Sequence, residues 1–282
     1  MNSGIPTQQA HDFYRRMVGD LVVTTIVDGS ETFSFEILSN NISAEEAKQF
    51  LIAAGLPPVP RMPVNAYVVQ DGKRTILIDG GDGNGMGSGG RLHAALAAAG
   101  IEASAVETIL LTHAHPDHVG GLSKDGAALF PNAELILHTD ELEFWQSEES
   151  VRGMPHRKRV RNLACETFQA YRSAIRPVSG GEVVSGITLQ PLPGHTPGHS
   201  GYLIESGGES VLIWGDIAHW PEIQIPRPDV TLAFDIDPAQ MIETRRRLLQ
   251  QVVSENTLIG GMHVNFPGFL RIVDHHGVYA IK

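Results

Sequence analysis

Three histidines and one aspartate lie close together in the stretch His113-Ala114-His115-Pro116-Asp117-His118. The apolar run at residues 108–111 precedes them and predicts a short buried strand. A glycine pair, Gly120-Gly121, follows, so the imidazole and carboxylate groups are expected at the end of that strand. These groups suit Zn, Fe, Mn or Co, and burying several of them without a metal ion would be costly. The stretch therefore predicts a metal site.

The spacing within this stretch indicates two ions. His113 and His115 are separated by one residue, so on an extended segment their side chains point the same way and can bind one ion. Asp117 and His118 come next in the chain and can face a second ion. For most of the 13 histidines of the chain, by contrast, a surface position or a hydrogen-bonded position in the core is the simpler interpretation.

The H-A-H-P-D-H stretch resembles the H-x-H-x-D-H signature of the metallo-β-lactamase superfamily. Further pieces of that pattern follow in the same order: His195 before Thr196-Pro197-Gly198-His199, Asp216 after Trp214-Gly215, and His263 after Gly261-Met262. The resemblance implies an αββα sandwich, whereas hydrophobic periodicity alone indicates only an α/β or α+β fold. It covers about residues 63–282, which we expect to form the hydrolase domain. Residues 1–62 are expected to be an N-terminal arm and covering segment of the same domain.

The resemblance also implies two divalent metal ions, with zinc expected and Mn, Fe or Co as alternatives. The implied ligands are His113, His115 and His195 for one ion, Asp117, His118 and His263 for the other, and Asp216 as a bridge between them. A metal-bridging hydroxide would be the nucleophile, because two ions can lower the pKa of a shared water towards neutrality. Asp117 is expected to orient this hydroxide as well as to bind metal. Asp79 and His199 are expected to hold the ligands in position.

Three further residues are predicted to contact substrate. His219 stands where acyl-homoserine-lactone lactonases have a tyrosine that contacts the substrate. It is expected to donate a hydrogen bond to the developing oxyanion or to protonate the leaving group, the alternative being a histidine on a surface loop. Trp145 and Phe269 are expected at the substrate pocket, although Trp145 would fit equally well in the core.

Several short stretches resemble the methyl parathion hydrolase branch of the superfamily, at residues 130–133, 144–145 and 266–268. Members of that branch hydrolyse phosphotriesters, lactones and aryl esters. The leading hypothesis is therefore a two-metal hydrolase that opens a lactone or cleaves an ester. The alternative is an organophosphate hydrolase. A histidine at position 219 favours the lactone, because an alkoxide leaving group needs a proton and a nitrophenolate does not.

Two hypotheses of other classes fit less well. A di-iron redox member of the superfamily usually carries a fused flavin domain, for which the 282 residues leave no room. A metal-binding scaffold without catalysis would not need all seven implied ligands, and all seven are present.

Composition limits the partners. The formal net charge is −11, which disfavours nucleic acid because contacts with phosphates need a basic surface. The single cysteine, Cys165, rules out an intrachain disulfide and is interpreted as structural. The first 19 residues show no apolar signal-peptide core and no apolar run is long enough to span a membrane, so a cytoplasmic enzyme with a small-molecule substrate is expected.

Sequence patterns predict helices at three places. Ser43 followed by Glu46 predicts a capping box at the start of a short helix. Residues 155–173 predict a longer helix, and Pro238 is a good first residue for another that reaches about residue 254. Strand-like runs alternate with these helices, as an α/β fold requires.

Three segments are assigned mainly by composition. Residues 1–20 are polar and predict an arm, and residues 33–38 predict a strand or a covering segment. Both are compatible with a homodimer. The glycine-rich segment 80–90 predicts a surface loop, because it lacks the lysine of a P-loop and the pattern of a nucleotide site is weak.

Overall fold

Two β-sheets form the centre of the molecule, for which a computed structural model describes residues 13–39, 41–83, 89–152, 154 and 157–282. Within these residues, seven strands form the first sheet in the spatial order β1-β2-β4-β5-β6-β9-β10. Their bounds are Phe13–Val18 (β1), Leu21–Thr32 (β2), Arg61–Gln70 (β4), Thr75–Ile78 (β5), Thr108–Leu110 (β6), Glu134–His138 (β9) and Ile175–Val178 (β10).

Six strands form the second sheet of the described chain, in the order β11-β12-β13-β14-β16-β17. Their bounds are Gly181–Val184 (β11), Ile187–Pro191 (β12), Ser200–Ser206 (β13), Glu209–Ile213 (β14), Leu258–Gly260 (β16) and Phe269–Leu270 (β17). The remaining strands pair two by two, Leu38–Ser39 (β3) with Thr231–Leu232 (β15), Ser123–Lys124 (β7) with Ala127–Ala128 (β8), and Ile272–His275 (β18) with Val278–Ile281 (β19).

Helices cover the outer faces of both sheets. Their bounds are Ala44–Ala53 (α1), Leu92–Ala98 (α2), Pro116–Val119 (α3), Thr139–Gln146 (α4), Arg157–Ala170 (α5), Pro221–Gln224 (α6) and Pro238–Ser254 (α7), with short 3₁₀ turns at Phe35–Ile37, Ala103–Ala105 and Glu148–Val151. Buried side chains of α2, α4 and α5, among them Leu96, Trp145 and Phe168, pack on the first sheet. Met241 and Leu248 of α7 pack on the second. The predicted αββα sandwich is confirmed.

The two sheets face each other through an apolar layer. Val69 and Ile78 of the first sheet pack with Tyr202 and Ile213 of the second, and all of these side chains are buried. This burial accounts for most of the stabilisation of the sandwich, because removing apolar surface from water is the dominant favourable term in folding.

Parallel pairing brings chemically active segments to one edge of each sheet. In the first sheet β5, β6 and β9 are parallel, so the residues that follow them meet at the same edge. In the second sheet β14 and β16 are parallel, with Ile213 opposite Gly260. The segments that contain Asp79, His113, Asp216 and His263 all leave these strand ends.

The N-terminal predictions are corrected in part. The proposed arm is wrong for Phe13–Val18, which forms β1 and pairs antiparallel with β2, because Gly19 adopts a φ of 54° and reverses the chain. Residues 1–12 lie outside the described part. The covering segment folds as the 3₁₀ turn Phe35–Ile37 followed by β3, and Leu38 packs with Trp220.

The helical predictions are largely confirmed. Ser43 and Glu46 form the predicted capping box at the start of α1, with both reciprocal hydrogen bonds present. Pro238 begins α7 as predicted. Helix α5 begins at Arg157 and ends at Ala170, shorter than predicted at its C-terminus, and residues 155 and 156 lie outside the described chain.

Candidate metal centre

The first part of the site is built where β5 and β6 end. Asp79 follows β5 with a φ of 60°, an uncommon conformation for a residue other than glycine. Its carboxylate accepts hydrogen bonds from the backbone N and the Oγ1 of Thr112, both at 2.7 Å. It also lies 2.6 Å from Nδ1 of His118. This contact fixes the imidazole so that Nε2 is directed towards Asp216, 3.2 Å from its Oδ1.

A first group of four candidate ligands comes together from three segments. His115 Nδ1 lies 3.0 Å from His113 Nε2 and 2.9 Å from His195 Nε2. Asp216 Oδ2 lies 3.6 Å from His113 Nε2 and 3.4 Å from His195 Nε2. All four ligand atoms lie within 4.8 Å of one another, a spacing that one metal ion can span.

A second group of four shares one member with the first. His263 Nε2 lies 3.5 Å from Asp117 Oδ2 and 3.2 Å from Asp216 Oδ2. His118 Nε2 lies 3.6 Å from Asp117 Oδ2. The ligand atoms of Asp117, His118, Asp216 and His263 again lie within 4.8 Å of one another. Asp216 therefore stands between the two groups, with a carboxylate oxygen available to each.

The buried polar atoms of these groups fit divalent ions. Among the described residues, His118 Nε2 and Asp216 Oδ1 are buried and form no hydrogen bond, although they are close together. An unsatisfied buried polar atom is costly, and a bound cation would satisfy both. Imidazole and carboxylate form a donor set suited to zinc and related metals.

The pKa values of these buried imidazoles are shifted in opposite directions, so protonation does not stabilise all of them. Burial lowers the pKa of His113 and His115 well below its usual range. Burial also opposes the charge on His195, but Asp216 and Asp235 outweigh it and raise the pKa of His195 to about 9. The neutral form that some of these rings favour is the one that binds a metal ion.

Other polar groups hold the candidate ligands in place. His195 Nδ1 lies 2.8 Å from Asp235 Oδ1, and His263 Nδ1 lies 2.7 Å from the carbonyl oxygen of Pro63. His199 Nε2 accepts a hydrogen bond from the backbone N of Asp216 at 2.8 Å. These contacts fix ring orientation and tautomer, as groups behind metal ligands commonly do.

Asp235 was not found from the sequence, and it gives a first testable expectation. The Asp235→Asn variant keeps the size of the side chain but removes the charge beside His195 Nδ1. We expect metal affinity to fall about 10–100-fold, the usual effect of removing a partner of a ligating histidine. Titration of metal into the stripped protein measures this, with Asp237→Asn, at the N-cap of α7, as a control for charge. An affinity equal to that of the wild type would contradict the role of Asp235.

A cavity of about 160 Å³ opens beside the two ligand groups. Its floor consists of His115, Asp117, Asp216 and His219. Its wall is mostly apolar and comes from distant parts of the chain, namely Phe33, Met62, Trp145, Val160, Ala233 and Phe234, together with Pro116 and Arg157. A small polar floor under an apolar wall is typical of sites for small organic ligands.

The structure brings His219 into the site, so the alternative of a surface histidine is wrong. The side chain is 3% exposed, and its Nε2 lies 3.0 Å from Asp216 Oδ2. The ring stacks on His263, with centroids 4.8 Å apart and planes 18° apart. Burial lowers the pKa of His219 to about 4 despite the nearby Asp216 carboxylate. Its backbone N donates to Gln224 Oε1 at 2.7 Å, which fixes the loop.

The two predicted aromatic contacts have different outcomes. Trp145 lines the cavity and is also fully buried, and its Nε1 donates to Glu141 Oε1 at 2.7 Å. Phe269, in contrast, is not among the described residues that line this cavity, and its contact with substrate stays a prediction. It lies in β17 beside the layer between the sheets, with its ring 5.6 Å from that of Tyr67, because β17 pairs with β16 in this register.

Comparison with known proteins agrees with this geometry. The model of the Metallo-beta-lactamase superfamily matches residues 59–263. The chain is 30% identical over 154 residues to the uncharacterized protein YobT of Bacillus subtilis (strain 168), an alignment that covers 55% of this chain and 61% of YobT. It is 28% identical over 159 residues to the probable metallo-hydrolase YybB of the same organism, covering 56% of this chain and 63% of YybB. The matched part thus spans less than two thirds of either relative.

Solved structures match over nearly the whole chain. The hydrolase AbOPH, in the beta lactamase superfamily, has a TM-score of 0.88 and 30% identity, covering 97% of this chain and 98% of its own. AidC, a dizinc quorum-quenching lactonase in complex with a product, has a TM-score of 0.90 and covers 96% of each chain. At 24% identity, AidC shows a common fold.

No helix of the described residues has the length and apolar character needed to cross a membrane.

Proposed function

The chain belongs to the metallo-beta-lactamase superfamily, and we propose that it is a two-metal hydrolase that opens a lactone or cleaves an ester. The observation that supports this most directly is the Asp216 carboxylate, which lies between two groups of candidate ligands at the floor of an apolar cavity. Such a cavity can hold the acyl part of a substrate while its polar floor faces the scissile bond.

His113, His115 and His195 would hold one ion, Asp117, His118 and His263 the other, and Asp216 would bridge them. Bound divalent ions lower the pKa of a coordinated water towards 7 and polarise a carbonyl or phosphoryl oxygen. We propose zinc as the metal, a choice supported by the donor set and by the dizinc site named for AidC. Asp117 would orient the nucleophile, and Asp79 and His199 would keep their neighbours in position.

His219 is proposed to act on the substrate directly. His219 lines the cavity, its Nε2 lies 3.0 Å from Asp216 Oδ2, and its buried Nδ1 forms no hydrogen bond with any described residue. If Asp216 binds metal, the single N–H of the neutral imidazole is free to donate a hydrogen bond to the oxygen on which charge develops, or to a departing alkoxide. Stacking on His263 limits rotation of the ring, so the donor is already in position when substrate binds.

The His219→Ala variant tests this role. We expect kcat on an alkyl lactone to fall about 10²–10³-fold, the usual effect of removing one donor to an oxyanion. His219→Gln should retain part of the rate, because the amide can still donate. The rate on a nitrophenyl substrate should fall less, since nitrophenolate leaves without protonation. Equal losses on both substrates with normal metal content would assign the donor to the oxyanion and not to the leaving group, whereas a loss of bound metal would instead place His219 among the ligands.

Phosphotriester hydrolysis is the second candidate function. It is favoured by the aromatic side chains on the wall, Phe33, Trp145 and Phe234, which can pack against an aryl leaving group. Rates on a lactone series and on methyl parathion, measured with protein reconstituted with Zn, Mn or Co, separate the two. High rates on lactones support the first proposal, and a rate on the phosphotriester alone supports the second.

Three broader predictions accompany these proposals. We propose that residues 1–62 and 63–282 form one domain, which is supported by the place of β1 and β2 in the first sheet. A cytoplasmic location stays a prediction. The absence of a nucleic-acid partner and a homodimeric assembly also stay predictions.

A further inference from the structure

Arg157 has the one cationic side chain on the cavity wall among the described residues, and we propose that it binds a carboxylate that the substrate carries away from the scissile bond. This inference rests on the proposed function and narrows its substrate class. The substrate would be an ester or lactone whose acyl part is apolar in the middle and anionic at its far end.

Arg157 lies on the part of the wall that α4 and α5 provide. It is the first described residue of α5, and Val160 of the same helix and Trp145 of α4 line the cavity with it. Its side chain is half-buried. The candidate ligands and Arg157 line the same cavity, so one substrate molecule can contact the ligands at its scissile bond and Arg157 with another group.

Arg161 of the same helix and Arg245 of α7 are engaged, whereas the guanidinium of Arg157 has no partner among the described residues. Arg161 forms an ion pair with Glu148 at 2.9 Å and donates to the carbonyl oxygens of Gln146 and Ser147. Arg245 donates to three backbone carbonyls. Among the residues that the structure describes, no carboxylate and no carbonyl oxygen receives a hydrogen bond from the side chain of Arg157. The carboxylates of the floor, Asp117 and Asp216, face histidines.

A half-buried cation without a partner is a natural place for an anion. Burial disfavours the charged form and lowers the pKa of Arg157. A carboxylate would restore the lost stabilisation, because the planar guanidinium can form two parallel hydrogen bonds with it. The chain as a whole has a net charge of −11 and repels anions, so a preference for an anionic substrate has to come from a local group such as this one.

Two esters of equal chain length test the inference, namely p-nitrophenyl hexanoate and the mono-p-nitrophenyl ester of adipic acid, which differ in the terminal carboxylate. For the Arg157→Met variant we expect kcat/KM on the adipate ester to fall about 10–100-fold, mainly through KM, as for the loss of a charged hydrogen bond. The hexanoate ester should change less than about 2-fold. Arg157→Lys should give an intermediate loss of kcat/KM on the adipate ester. Lysine keeps the positive charge but lacks the planar group that forms two parallel hydrogen bonds with a carboxylate.

A matched control and a binding measurement complete the test. Lys158→Met removes an exposed cation one residue further along α5 and should change neither ester. Calorimetry with adipate and hexanoate, using metal-loaded protein, measures the preference without turnover. If neither these esters nor the lactone series is hydrolysed, the proposed function fails, and the calorimetric preference still tests Arg157. Equal preference for adipate in wild type and Arg157→Met, by rates and by calorimetry, would overturn the inference.

Discussion

Replacing Asp216 with asparagine is expected to lower kcat/KM on the order of 10³-fold or more, because the activation of water by two ions depends on both being held. Oδ1 of this carboxylate lies 3.2 Å from His118 Nε2 of the second group, and Oδ2 lies 3.4 Å from His195 Nε2 of the first. Asparagine has nearly the same shape but one acceptor oxygen and no charge. The asparagine oxygen can bind metal in one ligand group only. Its NH₂ group would then face the imidazole nitrogens or the cation of the other group.

Metal content and rate should therefore fall together in this variant. Atomic emission spectroscopy gives the bound metal, and kcat/KM on a lactone gives the rate. Asp125→Asn is a suitable control, because Asp125 is exposed, lies in the turn between β7 and β8, and has a φ of 52° that asparagine also tolerates. A variant at position 216 with normal metal content and a normal rate would show that the two ligand groups do not work as one centre.

The part of the site that could be predicted from the sequence is the part that is local in the chain. His113 to His118 follow β6 directly, and parallel pairing of β6 with β5 brings Asp79 to the same edge. The αββα order was expected from the resemblance alone, because amphipathic periodicity indicates only that helices and strands each bury one face in an α/β or α+β fold. Once strand ends meet, the positions of these polar side chains follow from backbone geometry.

Asp235 and most of the cavity wall could not be predicted, because they depend on returns of the chain that no local pattern encodes. Asp235 reaches His195 from 40 residues further along the chain. Phe33 and Phe234 meet on the wall with ring centroids 5.7 Å apart, although about 200 residues separate them. Phe269, which was expected at the substrate pocket, lies in β17 beside the layer between the sheets.

The glycine-rich segment shows why composition alone is ambiguous. Gly81 and Gly83 have φ values of 65° and 60°, and a side chain on Gly83 would overlap the backbone of Gly120. The carboxylate of Asp28 accepts hydrogen bonds from the backbone N of Asp82, Gly90 and Leu92. In the described part of the segment, close packing thus accounts for the glycines. Residues 84–88, at the centre of the predicted surface loop, lie outside the described part.

Removing the metal ions with a chelator is expected to abolish hydrolysis and to lower Tm by about 10 °C. A ligand present at about 1,000 times its Kd stabilises the native state by roughly 4 kcal/mol, and each kcal/mol shifts Tm by about 2–4 °C in a domain of this size class. Differential scanning calorimetry measures the shift, and adding back zinc should restore both Tm and rate. An unchanged Tm would mean that hydrogen bonds among the buried ligand side chains, and not bound metal, stabilise this part of the structure.

The Asp216→Asn variant and a change of pH should each alter the loss of Tm that removal of the metal causes. If the carboxylate joins the two ligand groups, the variant should lose less Tm on chelation than the wild type, because it has less bound metal to lose.

Ligating histidines must be deprotonated, so metal affinity falls as the pH is lowered. The difference in Tm between loaded and stripped protein should then shrink as the pH falls below about 9, the value to which the pKa of His195 is raised. A difference that grows at low pH would instead point to stabilisation that does not depend on these imidazoles binding metal.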